Sequence, residues 1–395
     1  MRGLQRLLPA LGAGISLTVF AVVMLSIPLG VAEDLDLTTG QLTAWIMALY
    51  GVAAVASLAL VLRYRQPLAI TGNMFVLIFV ASLGSALSWQ ELIGASMVAG
   101  ALVLALGLFG LTDRLAAWLP APIVFGVLAG AVLPFFVGLF TAFTEARLVV
   151  GIAVLAFVVG RRLLEPPVPA MVTAVVAGVV AAAFSGGIEP MAVQGAFVTP
   201  TLSMPKFTLG ALVTATPVLV VLITLQANVP SMVLLRGQGY NPPERTVEVI
   251  SGAGTLLGSL LGPIGFSLSL PATALASGRD AGQSEYRHRS IYFVAFAALA
   301  IAIFAGLAAE LAGVLPRPLL LAFVGLAVIG VLVSALQQVA KGPLLLGPMF
   351  AFGISLSDLS LFGLGPFFWA LVIGLGVSRL VEAEAWRAVR RGSSG

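Results

Sequence analysis

The 395-residue sequence has no cysteine and a single histidine, His288. Those two absences exclude disulfides, thiolate metal sites and cysteine nucleophiles, and leave the compartment open. Charge is scarce too: 9% of residues are Asp, Glu, Lys or Arg, against about 25% in a soluble domain. What replaces it is 60% hydrophobic residues and a mean hydropathy of +1.11, more apolar surface than a soluble fold can hide. The chain therefore reads as an all-α polytopic membrane protein, with the lipid bilayer as its solvent. An intramembrane enzyme would need a nucleophile with its base, or clustered metal ligands. With one histidine and no acid in mid-span, the sequence offers no catalytic residue, metal site or cofactor. The pI near 9.8 does not imply nucleic acid, because the basic residues are scattered through short loops.

Apolar runs between charged or turn-rich breaks give fourteen candidate spans. They cover 9–31, 41–62, 67–83, 89–111, 119–141, 147–160, 168–186, 209–235, 246–261, 263–277, 290–311, 316–337, 342–357 and 363–381. Arg2 and Arg6 precede the first run, Leu7 to Val31, which is longer than the roughly 7–15 residues of a signal-peptide core and reads as an uncleaved span. With the N-terminus inside, seventeen of the twenty Lys and Arg fall on the inner side, and only Arg147, Lys206 and Arg317 fall outside. That bias predicts both termini in the cytoplasm of an inner-membrane protein. Trp45, Trp89, Trp118 and Trp369 lie near span ends, where interfacial anchors belong. Residues 392–395, GSSG, read as a tag remnant.

Two stretches resist helix. Gly262 to Ser277, GPIGFSLSLPATALAS, carries Pro263 and Pro271 around five residues, Phe266 to Leu270, with the period of a strand. Pro67 to Asn73, PLAITGN, is of the same class. Extended backbone at membrane depth is tolerated only where protein buries it or a cavity hydrates it, so both are expected at a substrate site. They also correspond. Pro9 and Pro205, Pro67 and Pro263, Pro120 and Pro316, and Pro122 and Pro318 are each 196 positions apart, and LPAP at 119–122 matches LPRP at 315–318. An odd number of spans separates equivalent points, which predicts two inverted seven-span repeats, 1–203 and 204–391, with short strands breaking spans 3 and 10. Broken helices at matching repeat positions point to a secondary transporter with its site near the midplane.

The segment Thr43 to Pro67, TAWIMALYGVAAVASLALVLRYRQP, and the segment Thr224 to Pro243, TLQANVPSMVLLRGQGYNPP, resemble the benzoate:proton symporter (BenE) family. The resemblance covers nearly the whole chain, and its most specific part is the RGQGYNPP turn. It implies the fold of nucleobase and sulfate permeases, with spans 1–4 and 8–11 as a core domain and spans 5–7 and 12–14 as a gate domain. It also implies a substrate between the half-helices of spans 3 and 10, a proton as coupling ion, and a homodimer through the gate. After the first basic turn the family tends towards a Trp-Ser-Thr-Pro-Gly-like sequence, whereas this chain has Ala69, Ile70, Thr71, Gly72 and Asn73.

Each half-helix start presents unpartnered N–H groups and a partial positive charge, so two meeting at the midplane suit an anion. Thr71, Gly72 and Asn73 are expected on one side and Ser267, Ser269 and Thr273 on the other, with Thr71 opposite Ser267 and Asn73 opposite Ser269. Phe266 and Phe20 are candidates to flank an aromatic ring, with plain packing as the alternative. Gln226 and Asn228, late in span 8, are candidate ligand contacts, or else bond a neighbouring helix. Nucleobase permeases use a carboxylate in the corresponding region, where this chain has an amide. All sixteen acids are expected in loops or near span ends, with Glu248, Glu310 and Asp358 closest to the interior, and His288 in a solvated loop. Mid-span titratable groups thus give no support to proton coupling. The expected function is secondary transport of a small organic anion, foremost benzoate or a similar aromatic carboxylate. The alternatives are a passive anion uniporter of sulfate permease type and a nucleobase-like permease.

Overall fold

The computed structural model describes residues 10, 13, 14, 17, 18, 21, 22, 24–84, 86–112, 120–163, 170–187, 199–278, 281–357, 359, 361 and 366–392. Phe20, Trp118 and Asp358 lie outside them. The chain is mostly helical. The first half contains α1 (Ser26–Asp34), α2 (Thr39–Tyr64), the strand β1 (Ile70–Gly72), α3 (Met74–Leu83), α4 (Trp89–Phe109), α5 (Ala121–Glu145), α6 (Arg147–Leu163) and α7 (Ala170–Phe184). The second contains α8 (Leu209–Gly237), α9 (Glu244–Gly258), β2 (Phe266–Leu268), α10 (Leu270–Ser277), α11 (Arg289–Ile303), α12 (Ala305–Val314), α13 (Arg317–Lys341), α14 (Leu346–Ser355), α15 (Pro366–Val381) and α16 (Ala383–Gly392). Among the described residues, five helices are long and apolar enough to cross a membrane: α2, α4, α5, α8 and α13 up to Ala340.

Displacing the first half by 196 positions reproduces element boundaries in the second. Ile70–Gly72 becomes Phe266–Leu268, the N-cap Asn73 becomes Ser269, and α3 and α10 both start on the next residue. Helix α5 maps onto α13 at both ends, and α7 starts where α15 does. The LPAP and LPRP motifs are helix starts: Pro120 and Pro316 are the N-caps of α5 and α13, and each helix has a proline in its first turn. There its fixed φ suits the helix and its missing N–H costs nothing.

Helix contacts fall mostly within two sets, which meet where α13 packs against α1. Helix α4 packs against α9 and α8, α11 against α2, and α8 against α10; α5 packs against α13 and α14, α14 against α15, and α6 against α7. The α4–α9 contact is close because it is built on glycines, as in membrane helix pairs generally. A methyl group on Gly100 or Gly252 would strike the backbone of Leu256 or Leu104.

Strands β1 and β2 pair antiparallel, with Ile70 facing Leu268, Thr71 facing Ser267 and Gly72 facing Phe266. The pairing of Thr71 with Ser267 is the expected one, but Asn73 does not face Ser269. Its N–H donates to the Gly265 carbonyl (2.7 Å), and the Ser269 N–H donates to the Ala69 carbonyl (3.1 Å). The reason is arithmetic: in an antiparallel ladder one index rises as the other falls, so a constant offset of 196 is met at a single pair.

A lone two-stranded ribbon leaves two outer edges unbonded, which is untenable at membrane depth. Here side chains close both. On β1, the Ile70 N–H donates to Ser57 Oγ of α2, and that hydroxyl donates back to the Ile70 carbonyl, each at 2.9 Å. On β2, the Phe266 N–H donates to Thr255 Oγ1 of α9 (2.8 Å) and the Leu268 N–H to Asn228 Oδ1 of α8 (2.8 Å). The entry to β2 turns at Gly262, whose φ of 154° suits only glycine. Trp45 presses on that glycine and donates its indole N–H to the Pro263 carbonyl (2.8 Å).

Candidate functional site

A cavity of about 150 Å³ lies where β1, β2 and the starts of α3 and α10 meet. Most of its wall is apolar, including Met24, Leu49, Leu77, Val294 and Ala298, together with the ring of Tyr50. Tyr50 spends its hydroxyl on the Ala21 carbonyl (2.9 Å) and so presents a ring rather than a donor. The polar part is a short arc: Thr71, Gly72, Asn73, Gln226, Ser267 and Ser269 all line the cavity.

Not every polar group in the arc is available to a ligand. Asn73 is fully used: its Oδ1 caps α3 by accepting from the N–H groups of Phe75 (2.9 Å) and Val76 (3.2 Å), and its amide donates to the Leu222 carbonyl and to Ser267 Oγ. Ser267 accepts that bond and keeps its own hydroxyl hydrogen. Ser269 caps α10 by accepting from the Ala272 N–H (3.3 Å) and likewise keeps its hydrogen. The caps leave the first N–H of each helix, on Met74 and Leu270, without an intrahelical partner. Gln226 has a buried Oε1 with no hydrogen-bond partner. The remaining donors are hydroxyls, an amide and two helix-start N–H groups, which suit a carboxylate without burying a formal positive charge.

Other expected site residues are built into the walls. Phe266 does not flank the cavity; its ring is fully buried against α9, where a methyl on Gly258 would come within 2.6 Å of it. Asn228 is fully buried and bonds Leu268, Glu248 and Ser251, holding the strand rather than facing the cavity. Thr273 is fully buried off the cavity, its hydroxyl without a partner.

Two titratable residues differ from expectation. Glu248 is one turn into α9, but it is only 2% exposed and bonded to Asn228, at depth rather than at the surface. Its position near a span end concealed this, because depth is set by how α9 lies against α4 and β2. His288 is half-buried, with Nδ1 unpartnered; burial first, then the adjacent Arg289, lowers its pKa.

Comparison with known proteins gives a consistent picture. The family model for BenE, benzoate membrane transport protein, matches residues 6–380. The benzoate membrane transport protein of Acinetobacter baylyi (strain ATCC 33305 / BD413 / ADP1) is 26% identical over 348 residues, 87% of either chain. The inner membrane protein YdcO of Escherichia coli (strain K12) is 25% identical over 340 residues, covering 85% of this chain and 86% of that one. Among solved structures, the transmembrane domain of a cyanobacterium bicarbonate transporter, BicA, superposes with a TM-score of 0.59 at 15% identity over 98% of both chains. At that identity the likeness is one of fold.

Proposed function

The chain belongs to the BenE family of benzoate membrane transport proteins, and from that premise we propose that it carries benzoate or a similar aromatic carboxylate across the inner membrane, coupled to a proton. It is a membrane transporter and not an enzyme. One observation carries the choice of cargo: the cavity joins an apolar chamber to a short arc of uncharged donors. A cavity of about 150 Å³ holds a benzene ring. The arc would take the carboxylate, through the hydroxyls of Thr71, Ser267 and Ser269, the Gln226 amide and the N–H groups of Met74 and Leu270. The chamber would take the ring.

The architecture in this reading has fourteen spans in two inverted seven-span repeats, 1–203 and 204–391. Its pseudo-twofold axis passes between Thr71 and Ser267, the one pair that satisfies both the ladder and the repeat. Spans 1–4 and 8–11 form a core that carries the site, spans 5–7 and 12–14 form a gate, and core slides or rocks against gate. The packing of α5 against α13 and α14, of α14 against α15 and of α6 against α7 supports that division, with α13 also meeting the core at α1. Both termini face the cytoplasm, and two copies pair through their gates. The test is uptake of labelled benzoate into proteoliposomes under an inward proton gradient. Accumulation that unlabelled benzoate suppresses is the expected result. Uptake indifferent to pH and to excess benzoate, with currents above carrier rates, would instead indicate a passive anion pathway.

A further inference from the structure

The cavity wall is tied to one buried acid. Glu248 Oε2 accepts from the Asn228 amide at 3.1 Å, and its Oε1 is buried with no partner. The same Asn228 accepts at Oδ1 from the Leu268 N–H (2.8 Å) and from the Ser251 hydroxyl (3.4 Å). Leu268 and Ala227, on either side of this amide, both line the cavity. A single side chain therefore touches the acid at one end and the cavity wall at the other.

No cation offsets this acid among the described residues. From α2 and the residue that follows it, the charged and titratable groups are Tyr50, whose hydroxyl donates to the Ala21 carbonyl, Arg63, Tyr64 and Arg65, and the Tyr64 hydroxyl is bonded to Thr246 Oγ1 (2.9 Å). From α8 there is Arg236, which pairs with Glu244. From α9 itself there is Arg245, whose guanidinium lies against Gly110. Helix α4 backs onto the acid at Gly107, where a methyl would come within 2.8 Å of Glu248 Cβ, and its own acid, Glu91, sits at the opposite end with Ser88. Strand β2 and the π-helical turn at Thr224–Asn228 bring no titratable group. A carboxylate at such depth without a cation is strongly disfavoured, and the same group as a neutral acid is not.

We propose that Glu248 is the group that carries the coupled proton, with Asn228 as the positioning residue that links it to the cargo. The inference rests on the reading of the chain as a proton-coupled carboxylate carrier. Cargo enters as the anion, and a proton from water bonds to the Glu248 carboxylate. One anion and one proton cross together with no net charge, and both are released on the far side. The coupling is electrostatic: an ionised Glu248 one amide away repels the anion, so each ligand favours the binding of the other.

The experiment compares benzoate binding and uptake by the wild type and E248Q in proteoliposomes. Wild-type affinity should tighten by up to about tenfold per pH unit on acidification, the limit for one linked proton. E248Q should lose that slope and lose gradient-driven accumulation. An E248Q protein with wild-type slope and accumulation would overturn the proposal. Should E248Q fail to fold, E248D should keep the slope with a displaced midpoint, and an unmoved midpoint would overturn it. If the wild type neither binds nor carries benzoate, the cargo reading fails and infrared titration decides on Glu248 separately. A protonated-carboxyl band that is lost on raising the pH and shifted in E248D supports the assignment, and the absence of such a band overturns it.

Discussion

The outer edge of β1 is closed by one hydroxyl, Ser57, while that of β2 is closed by Thr255 and by an amide that is itself bonded to a buried acid. The helix starts differ in the same way. Asn73 caps two N–H groups of α3 and spends its whole amide on the fold, whereas Ser269 caps one N–H of α10 and keeps a hydrogen. The two breaks thus share chain position and backbone path and differ in polar chemistry. Since Ser57 alone suffices for the first edge, an acid behind the second is more than the sheet requires. The first break is the braced side of the site, and the second is the responsive one.

That contrast can be broken by substitution, and the largest effect is expected at Asn228. N228L removes the partner of the Leu268 N–H and, among the described residues, the one side-chain hydrogen bond to Glu248. It should destabilise the protein by about 3–5 kcal/mol, the sum of about 1–3 kcal/mol for each buried group that it strips of a partner, read as thermal stability in detergent. S57A orphans the N–H and the carbonyl of Ile70, which border the cavity where water can reach them, and should cost about 1–3 kcal/mol. Equal losses in the two variants would erase the distinction between the edges.

The caps give a smaller contrast. N73A should cost about 1–2 kcal/mol through the lost α3 cap, with reduced uptake because the Ser267 hydroxyl also loses its anchor. S269A should cost no more than about 1 kcal/mol in stability, and should lower benzoate affinity more than stability, because its hydroxyl hydrogen is unspent. A stable S269A protein with unchanged affinity would remove Ser269 from the site.

The smallest effect lies away from both breaks and serves as their control. Glu382 caps α14 by accepting from the N–H groups of Leu345, Leu346 and Gly347, and it accepts from Ser378. Burial pushes its pKa up, but those donors together outweigh it and the net direction is down. A depressed carboxylate stabilises the fold above its unfolded pKa and loses that contribution as pH falls through the folded value. E382Q should therefore cost about 1 kcal/mol at neutral pH and nothing in strong acid, where the wild type is protonated too. A cost that persists in acid would mean that the charge is irrelevant.

Much of this was legible in the chain. The prolines at 67 and 263 and the strand-like run at Phe266 mark the two breaks, and the offset of 196 predicts which residues correspond. TAWIMALYGVAAVASLALVLRYRQP and RGQGYNPP carry the family. Other features were not legible. The spacing that predicts Thr71 opposite Ser267 also predicts Asn73 opposite Ser269, and the antiparallel ladder overrules the second. Phe266 and Asn228 belong to the right segment, but one turns into α9 and the other holds β2.

By itself the sequence determined the solvent, the breaks and the repeat, because those depend on composition, on proline and on spacing along one chain. Tertiary structure decided which side chains face the cavity and which are spent, and it placed Glu248 behind the site. Exposure and partners belong to pairs of elements that meet only on folding. An acid one turn from a helix end is a surface residue or a buried one according to what packs over it, and here α4 and β2 cover it.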